Sequence, residues 1–257
     1  METKTNYFIT WIGGKRLLRK TIAKLIPEDI KSYIEVFGGG AWVLFYKEKW
    51  ANLEVYNDLD NNLYNLFTVV KYHAEAFEHE FQFMINSRKG FKDMLEFKPL
   101  TDIQRAAKFF FLLQRSYGAK MGQFAYVRDG NSGSATSQKN IIERIKSVSL
   151  RLDKVYIENL DFEDLIRRYD HKDAFFYLDP PYKNGKDNLY KVVKVKDFEH
   201  ERLFNCIKNI KGRWLLSYDD NEYIRQLYKD YKIIEVSRIN SLSPNPGDYK
   251  ELLIKNY

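Results

Sequence analysis

The sequence is poor in cysteine and in long apolar runs. Its 257 residues contain a single cysteine, Cys206. One cysteine excludes an internal disulfide, and a reduced thiol is typical of a cytosolic protein. No apolar run approaches the ~20 residues of a membrane-spanning helix, and the N-terminus is too polar to form the apolar part of a signal peptide. The sequence therefore predicts a cytoplasmic protein that does not cross a membrane.

Motifs of metal and nucleophile chemistry are also missing. None of the four histidines has a cysteine or histidine partner at zinc-ligand spacing. The chain lacks the Gly-x-Ser-x-Gly turn of many hydrolases. Gly13-Gly14-Lys15 is not a phosphate-binding P-loop, because no glycine stands five residues before Gly14 and Arg16 follows the lysine. We therefore expect a protein that needs no metal.

The charge that is present is basic. Lysine and arginine number 42 against 35 aspartates and glutamates, which gives a formal net charge of +7. A basic surplus favours polyanionic partners, although it suits simple solubility equally well. The length fits one large domain, or one domain that carries an insertion.

The most informative stretch is Asp179-Pro180-Pro181-Tyr182, which follows the apolar run 175–178. The run predicts a buried strand, since the prolines leave no room for a helix. Asp179 is then presented at the carboxyl end of a strand, with Tyr182 just beyond it on a stiff loop. In open α/β sheets, ligands bind along that edge.

A second motif is a strand, a glycine turn and a predicted helix. Residues 33–37 predict the strand, Gly38-Gly39-Gly40 form the turn, and residues 41–46 predict the helix. This order is typical of a Rossmann-like unit, in which a cofactor meets bare backbone. The dinucleotide fingerprint is incomplete because Val43 replaces its third glycine, so NAD is weakly supported and a smaller nucleoside cofactor stays open.

The next predicted strand, residues 53–58, ends in an acid. Asp58 follows the glycine turn by about 20 residues, which is the spacing at which an acid meets ribose hydroxyls. A helix is predicted to follow over residues 59–72, where apolar residues recur at helical spacing.

Residues 73–149 carry no strand signal and interrupt the alternation of strands and helices. Helices are predicted at 74–87, 102–113 and 140–152. The loop 114–130 mixes cations with aromatic rings; these residues are Arg115, Tyr117, Lys120, Phe124, Tyr126 and Arg128. Cations hold phosphates and rings stack on bases, but a surface hairpin with ordinary packing aromatics fits equally well.

Taken together, these patterns predict seven strands, five of which alternate with helices. The last two, residues 232–236 and 251–256, have no helix between them and can pair as an antiparallel hairpin. The pattern predicts a three-layer α/β fold in which residues 73–149 are inserted between strands two and three.

With these motifs placed, the chain resembles the Dam-like (D12-class) DNA adenine-N6 methyltransferases. The matching segments are residues 11–15, 35–40, 57–58, 159–162, 179–182, 216–218 and 250–256. They occur in the family's order and cover nearly the whole chain. Two departures concern the first loop: Val36 stands where many members have proline, and Ala41 where many have a further glycine.

The resemblance implies a Rossmann-like, seven-stranded methyltransferase sheet and S-adenosylmethionine as the methyl donor. The residues implied to bind the donor are Trp11, Gly13, Gly14, Lys15, Glu35, Phe37, Gly38, Gly39, Asp58, Asp161, Phe162 and Asp179. Of these, Phe37, Gly39 and Asp58 would shape the methionine and ribose side, and Asp161 and Phe162 would hold the adenine.

It further implies a catalytic domain made of residues 1–72 and 150–257, with residues 73–149 as an inserted, mainly helical target-recognition domain. The partner would be double-stranded DNA at a short, GATC-like site, contacted by the cations and rings of the 114–130 loop. The protein would act as a monomer or weak dimer in a bacterium, or as a phage protein in a bacterial host.

The implied chemistry is methyl transfer to the N6 amino group of an adenine that has left the duplex stack. Asp179, Pro180, Pro181 and Tyr182 would hold the target base. Two acceptors, the Asp179 carboxylate and the Pro180 carbonyl, would draw the amine toward tetrahedral geometry, and Tyr182 would stack on the purine. Alternatives are methyl transfer to cytosine N4 or to RNA adenine, or a DNA-binding relative without activity.

Overall fold

Seven strands of the computed structural model form one mixed sheet. The structure describes residues 7–116, 121–122, 124–125, 138–183, 198–239 and 248–257. The strands are β1 (Ser32–Glu35), β2 (Leu53–Asn57), β3 (Val155–Glu158), β4 (Ala174–Leu178), β5 (Arg213–Asp219), β6 (Lys232–Ile239) and β7 (Asp248–Lys255). Their order across the sheet is β3-β2-β1-β4-β5-β7-β6. The predicted α/β class and its seven strands are confirmed, and the sheet is Rossmann-like.

The direction of the strands fixes where a ligand would bind. Strands β1, β2, β4 and β5 pair in parallel, whereas β7 lies antiparallel to both β5 and β6. The predicted hairpin of the last two strands is therefore confirmed. Because β1 and β4 are neighbours, the strand order reverses between them. The carboxyl ends of these two strands flank the topological switch point, where ligands of open α/β sheets bind.

Nine α-helices are found in the described part of the chain. They are α1 (Arg19–Leu25), α2 (Asn61–Tyr72), α3 (Ala74–Gln82), α4 (Arg88–Glu96), α5 (Asp102–Arg115), α6 (Gln138–Leu152), α7 (Phe162–Tyr169), α8 (His200–Ile207) and α9 (Glu222–Leu227). None of these helices is long and apolar enough to cross a membrane.

The helix predicted at residues 41–46 is wrong for most of its length. A short 3-10 helix, Leu44–Tyr46, is all that forms there. Ala41 has a φ of 54°, which is the left-handed region that a right-handed helix of L-residues cannot use. The glycine turn therefore continues through Ala41 before any helical turn begins.

The chain divides into two compact units. The first contains residues 1–14, 39–48 and 60–157. Its core includes a cluster of rings in which Phe110 contacts Phe8, Phe77 and Phe81 at centroid distances of 5.0, 5.5 and 5.2 Å. The predicted segment 73–149 lies in this unit and contributes α3 to α6; its role as an inserted recognition domain stays a prediction.

The second unit contains residues 15–38, 49–59 and 158–257. Its core is formed by the six strands of the sheet other than β3, of which β4 is buried at all five positions. Apolar side chains from α7 and α8, among them Leu165 and Leu203, pack in one core cluster with side chains of the strands, such as Leu252 of β7. Burial of this kind stabilises the fold by about 25 cal/mol for each Å² of apolar surface removed from water.

Candidate active site

The centre of the candidate site is a buried ion pair between Lys15 and Asp179. Asp179 is the residue that follows β4, and Lys15 precedes α1. The Lys15 ammonium lies 2.6 Å from each carboxylate oxygen of Asp179, and the two side chains are 4% and 17% exposed. Burial raises the pKa of Asp179 above its ordinary value, while the Lys15 charge opposes that rise. Lys15 thus favours the ionised form of the carboxylate.

Tyr182 is fixed beside this pair by a hydrogen bond to a residue of β7. Its hydroxyl donates to Oε2 of Glu251 at 3.0 Å, and its ring centroid lies 4.9 Å from the Lys15 ammonium. Glu251 belongs to β7, is 0% exposed, and its Oε2 lies 3.9 Å from the same ammonium. Lys15 therefore has one carboxylate directly after β4 and a second on β7, two strands that β5 separates in the sheet.

The two prolines of the motif are buried, which fits their predicted place directly after a buried strand. On the strand that precedes them, the Tyr177 hydroxyl forms a 2.9 Å hydrogen bond with the hydroxyl of Ser217 of β5. Burial, followed by the charge of Asp179, raises the pKa of Tyr177 well above its usual value. The phenol thus stays a neutral hydrogen-bonding group beneath the motif.

Asn57, the last residue of β2, ties together the loops that follow the neighbouring strands. Its amide nitrogen donates to the carbonyls of Val36 and Leu160 at 2.9 and 3.1 Å, and its oxygen accepts from the Leu160 amide at 2.8 Å. The side chain is 2% exposed. These bonds satisfy backbone groups that would otherwise be buried without partners. Asn57 thereby fixes the loops that carry Phe37 and Asp161.

Three rings gather beyond these strand ends. Phe37, Phe162 and Phe198 have centroids 5.8 to 6.0 Å apart. Phe37 follows β1 and Phe162 begins α7, and their roles in donor binding stay predictions. Phe37 and Phe198 are half-buried, so the cluster presents apolar surface at the ligand edge of the sheet.

Asp161 caps α7 and is clamped by an arginine. Its Oδ1 accepts from the Glu163 amide at 3.0 Å, and Arg202 of α8 donates to both carboxylate oxygens at 2.5 and 3.2 Å. The same guanidinium lies 4.5 Å from the Phe162 ring centroid and bonds to Glu163. The hydrogen bond to Asp161, followed by that to Glu163, raises the pKa of Arg202 against the opposing effect of burial, so the guanidinium remains charged.

Asp58 follows β2 at the same edge of the sheet. Its amide donates to the Glu158 carbonyl at 3.4 Å, and its carbonyl accepts from Asn159 at 2.7 Å. The residue is half-exposed. Its backbone is thus fixed at the carboxyl end of β2, and its contact with a ribose stays a prediction.

The first unit holds the remaining predicted donor residues, Trp11, Gly13, Gly14 and Gly39. Gly13 and Gly39 have φ values of 79° and 49°, which favour glycine. A Cβ on Gly39 would lie 2.9 Å from the Trp11 ring, so the turn packs directly on that indole.

Trp42 supports this turn and was not predicted. A Cβ on Gly14 or Gly40 would lie 2.5 or 2.9 Å from its indole nitrogen. Tyr7 stacks on Trp42 at 5.2 Å, and the Arg144 guanidinium lies 4.3 Å from the Tyr7 ring centroid. The glycine turn thus rests on a three-layer stack of side chains.

Two further predicted donor residues, Glu35 and Gly38, make internal contacts in the second unit. Glu35 is 2% exposed and accepts a 2.7 Å hydrogen bond from Tyr33. A Cβ on Gly38 would clash with the Tyr56 ring, and the Gly38 amide donates to the Asn57 carbonyl at 2.7 Å. Gly38 therefore packs against β2.

Of the predicted DNA-binding residues, Arg115 and Phe124 lie in the described part of the chain. Arg115 ends α5, is 8% exposed and makes no ion pair with a described residue. Burial lowers the pKa of its guanidinium. Phe124 packs on Phe91 at 5.5 Å. The other four, Tyr117, Lys120, Tyr126 and Arg128, lie outside the described residues.

Metal ligands do not assemble in the part of the chain that the structure describes. No group of three or more His, Cys, Asp or Glu side chains is arranged there to hold a metal ion. Asp179 and Glu251 instead face the Lys15 ammonium.

The sequence profile of the D12 class N6 adenine-specific DNA methyltransferases matches residues 11–242. The chain belongs to this family. The match includes the glycine turn, Asp58, Asp161 and the Asp-Pro-Pro-Tyr motif. Membership in the family implies DNA as substrate and S-adenosylmethionine as methyl donor.

Similar full-length relatives are type II methyltransferases. M1.LlaDCHI of Lactococcus lactis subsp. cremoris is 26% identical, over 97% of this chain and 95% of its own length. M.CviBI of Paramecium bursaria Chlorella virus NC1A is 25% identical, over 97% and 98%. M.MjaIII of Methanocaldococcus jannaschii is 29% identical over the full length of both chains.

Three side chains of this D12-class methyltransferase support the site in the second unit without having been predicted to do so: Asn57, Arg202 and Glu251. Trp42 supports the glycine turn in the first unit. Asn57 and Glu251 lie inside matching motifs, which was the available signal. Arg202 lies outside those motifs, and its partner Asp161 is 41 residues away in the sequence.

Proposed function

We propose that the protein transfers a methyl group from S-adenosylmethionine to the N6 amino group of adenine in a short duplex DNA site. The observation that carries this proposal is the Asp179 carboxylate, held by Lys15 at the carboxyl end of β4. An oriented anionic acceptor beside a stacking ring is what a poorly nucleophilic aromatic amine needs.

The residues at the strand ends fit the donor. Asp58 offers a carboxylate to ribose hydroxyls, and Phe37, Phe162 and Phe198 offer apolar surface to an adenine ring. Asp161 lies beside that surface, oriented by Arg202. When bound, the donor would supply a methyl group on a sulfonium, and in-line displacement would break the S–CH3 bond and release a neutral thioether. The amine, which gains the N–CH3 bond, would lose one of its two protons to solvent.

The acceptors act on the target amine. The lone pair of an adenine amino group is delocalised into the ring, so two acceptors against its two N–H bonds draw it toward tetrahedral geometry. Asp179 provides the charged acceptor, and the Pro180 carbonyl is the second. Tyr182 offers its ring to the purine. Catalysis then rests on positioning and on charges fixed before the base arrives.

The target adenine must leave the helix, because its amine is buried in the duplex stack. Flipping costs about a few kcal/mol, which phosphate contacts offset. We assign these contacts to residues 73–149 as a recognition domain. Arg115 favours this assignment, because its guanidinium has no carboxylate partner among the described residues and its Nε has no hydrogen-bond partner there. A GATC-like palindrome is the first site to test, on a monomer or weak dimer.

The test is methyl transfer from a labelled donor to unmethylated plasmid, followed by separation of the nucleosides by mass spectrometry. We expect N6-methyladenine at a recurring short sequence. Matched reactions contain single-stranded RNA in place of plasmid.

Each product decides between alternatives. N4-methylcytosine would show that the target is the amino group of cytosine. Label in RNA alone would show that the substrate is RNA and not DNA. Folded protein that binds DNA and donor without transfer would indicate an inactive relative and overturn the proposal.

A further inference from the structure

The buried carboxylate of Glu251 has no part in the chemistry described so far. It lies on β7, is 0% exposed and contacts two members of the candidate site, Tyr182 at 3.0 Å and Lys15 at 3.9 Å. Both contacts join residues of the same compact unit. The separation from Tyr182 along the chain is 69 residues, so the fold brings them together.

Glu251 is poorly explained as a stabilising residue. It lies directly opposite Asp219 in the β5–β7 register, and Asp219 is also buried at 4% exposure. Like charges opposite each other on one face of a sheet destabilise it. A buried ion pair seldom stabilises a fold more than apolar residues of similar size would. The position of Glu251 therefore points to a role in the site.

The Lys15–Asp179 pair creates a difficulty that a second carboxylate resolves. Both oxygens of Asp179 lie 2.6 Å from the Lys15 ammonium, so a target amine must compete with that ammonium for an acceptor. A movement of about 1 Å would bring the ammonium from 3.9 Å to hydrogen-bonding distance of Glu251. The buried cation would then never lose its partner.

We propose that Glu251 is a positioning residue for methyl transfer: it fixes the Tyr182 ring and takes over Lys15 when the target amine occupies Asp179. This inference rests on the proposed function. Glu251 touches neither the base nor the donor; it acts through Tyr182 and Lys15. Its two contacts can be separated by mutation, because the Tyr182 hydroxyl and the Lys15 charge are independent groups.

The decisive variant is Glu251→Gln, which keeps the shape and an acceptor for Tyr182 but removes the charge that Lys15 needs. We expect kcat for DNA methylation to fall about 10- to 100-fold, the range typical of lost supporting contacts. KM for DNA and for donor should change less than about 3-fold. Glu235→Gln is the control, since Glu235 lies on the adjacent β6 and pairs with Arg225 at the surface.

Tyr182→Phe separates the two contacts, because it removes the hydroxyl and keeps the ring. In the Tyr182→Phe background, Glu251→Gln should still lower kcat by most of its original factor. No further loss in that background would overturn the Lys15 half of the proposal. Wild-type kcat in Glu251→Gln would overturn all of it. If Glu251→Gln does not fold, Glu251→Asp, which withdraws the carboxylate by one methylene, must lower kcat in folded protein; unchanged kcat would again overturn the proposal.

A measurement without DNA separates this inference from the proposed function. The Nζ resonance of Lys15 in ¹⁵N-lysine-labelled protein, assigned with Lys15→Arg, should shift in Glu251→Gln and stay in place in Glu235→Gln. An unmoved resonance would refute the link between Glu251 and Lys15. A wild-type protein that methylates no DNA but shows the shift would refute the proposed function and leave the contact standing.

Discussion

Lys15 and Asp179 form a buried ion pair across 164 residues of sequence, with 2.6 Å from the ammonium to each carboxylate oxygen. Burial alone would drive the carboxylate toward its neutral acid, which donates a hydrogen bond and cannot serve as an anionic acceptor. The lysine counteracts this effect. The pair therefore sets the pH range in which the site can accept hydrogen bonds from an amine.

Lys15→Met should move the acidic limb of the kcat–pH profile to higher pH. The pKa of Asp179 is already raised by burial, and loss of the Lys15 charge raises it further, so more alkaline solution is needed to ionise the carboxylate. The measurement is initial rate against pH at saturating DNA and donor. Lys20→Met, at an exposed position of α1, is the control. Superimposable profiles for wild type and Lys15→Met would contradict this account.

Asp179→Asn should lower kcat by about 100- to 1,000-fold, the loss seen when one group that stabilises a transition state is removed. Donor affinity, measured by calorimetry, should stay within a few-fold, because the rings and Asp58 are unaltered. Asp173→Asn, at the other end of β4, makes the same chemical change at a pair with Lys31 on the surface. Retained turnover in Asp179→Asn would show that the Asp179 carboxylate is not the acceptor for the target amine.

The place of Asp179 at a strand end was predictable because its signal is local. An apolar run that stops at proline predicts a strand end, and residues 174–178 form that strand. The other strands could also be predicted from local signals. Their carboxyl ends place Phe37, Asp58 and Asp179 along one edge of the sheet.

Local signals failed where the backbone or long-range contacts decide. Helix α4 was not predicted, because Phe91 is its one buried residue and gives no apolar period. Its start is marked by the cap of Ser87 on the Gly90 amide at 2.9 Å. Ala41 was predicted to be helical, and only its φ of 54° reveals the turn. Contacts such as Glu251 to Tyr182 depend on strand order.

Arg202→Ala should weaken donor binding about 3- to 10-fold, which corresponds to about 0.7–1.4 kcal/mol. The change frees Asp161 from its clamp and uncovers the Phe162 ring, while α7 keeps its Asp161 cap. Calorimetric Kd for S-adenosylmethionine is the measurement. Arg167→Ala provides the control, because Arg167 pairs with Asp164 at the surface of α7. Equal donor affinities in the two variants would show that Arg202 does not position Asp161.

Arg115→Ala should weaken DNA binding by about tenfold or more and reduce the salt dependence of log Kd by about one unit. Removing a phosphate-binding cation has this effect at every sequence, whereas donor binding should not change. Fluorescence anisotropy with labelled duplex at several salt concentrations measures both quantities. Arg105→Ala, on the exposed side of α5, is the control. If the DNA affinity stays at the wild-type value, Arg115 does not belong to the DNA-binding surface.

Gly38→Ala should lower the thermal midpoint, because the added methyl group would collide with the buried ring of Tyr56. Overpacking of this kind costs about 1–3 kcal/mol, or about 2 to 12 °C for a chain of this size. Differential scanning calorimetry of Gly38→Ala, Tyr56→Leu and the double variant completes a mutant cycle. We expect the double variant to be more stable than the sum of the single losses predicts, since leucine leaves room for the methyl group. Strictly additive losses would show that the turn after β1 is not held by contact with Tyr56.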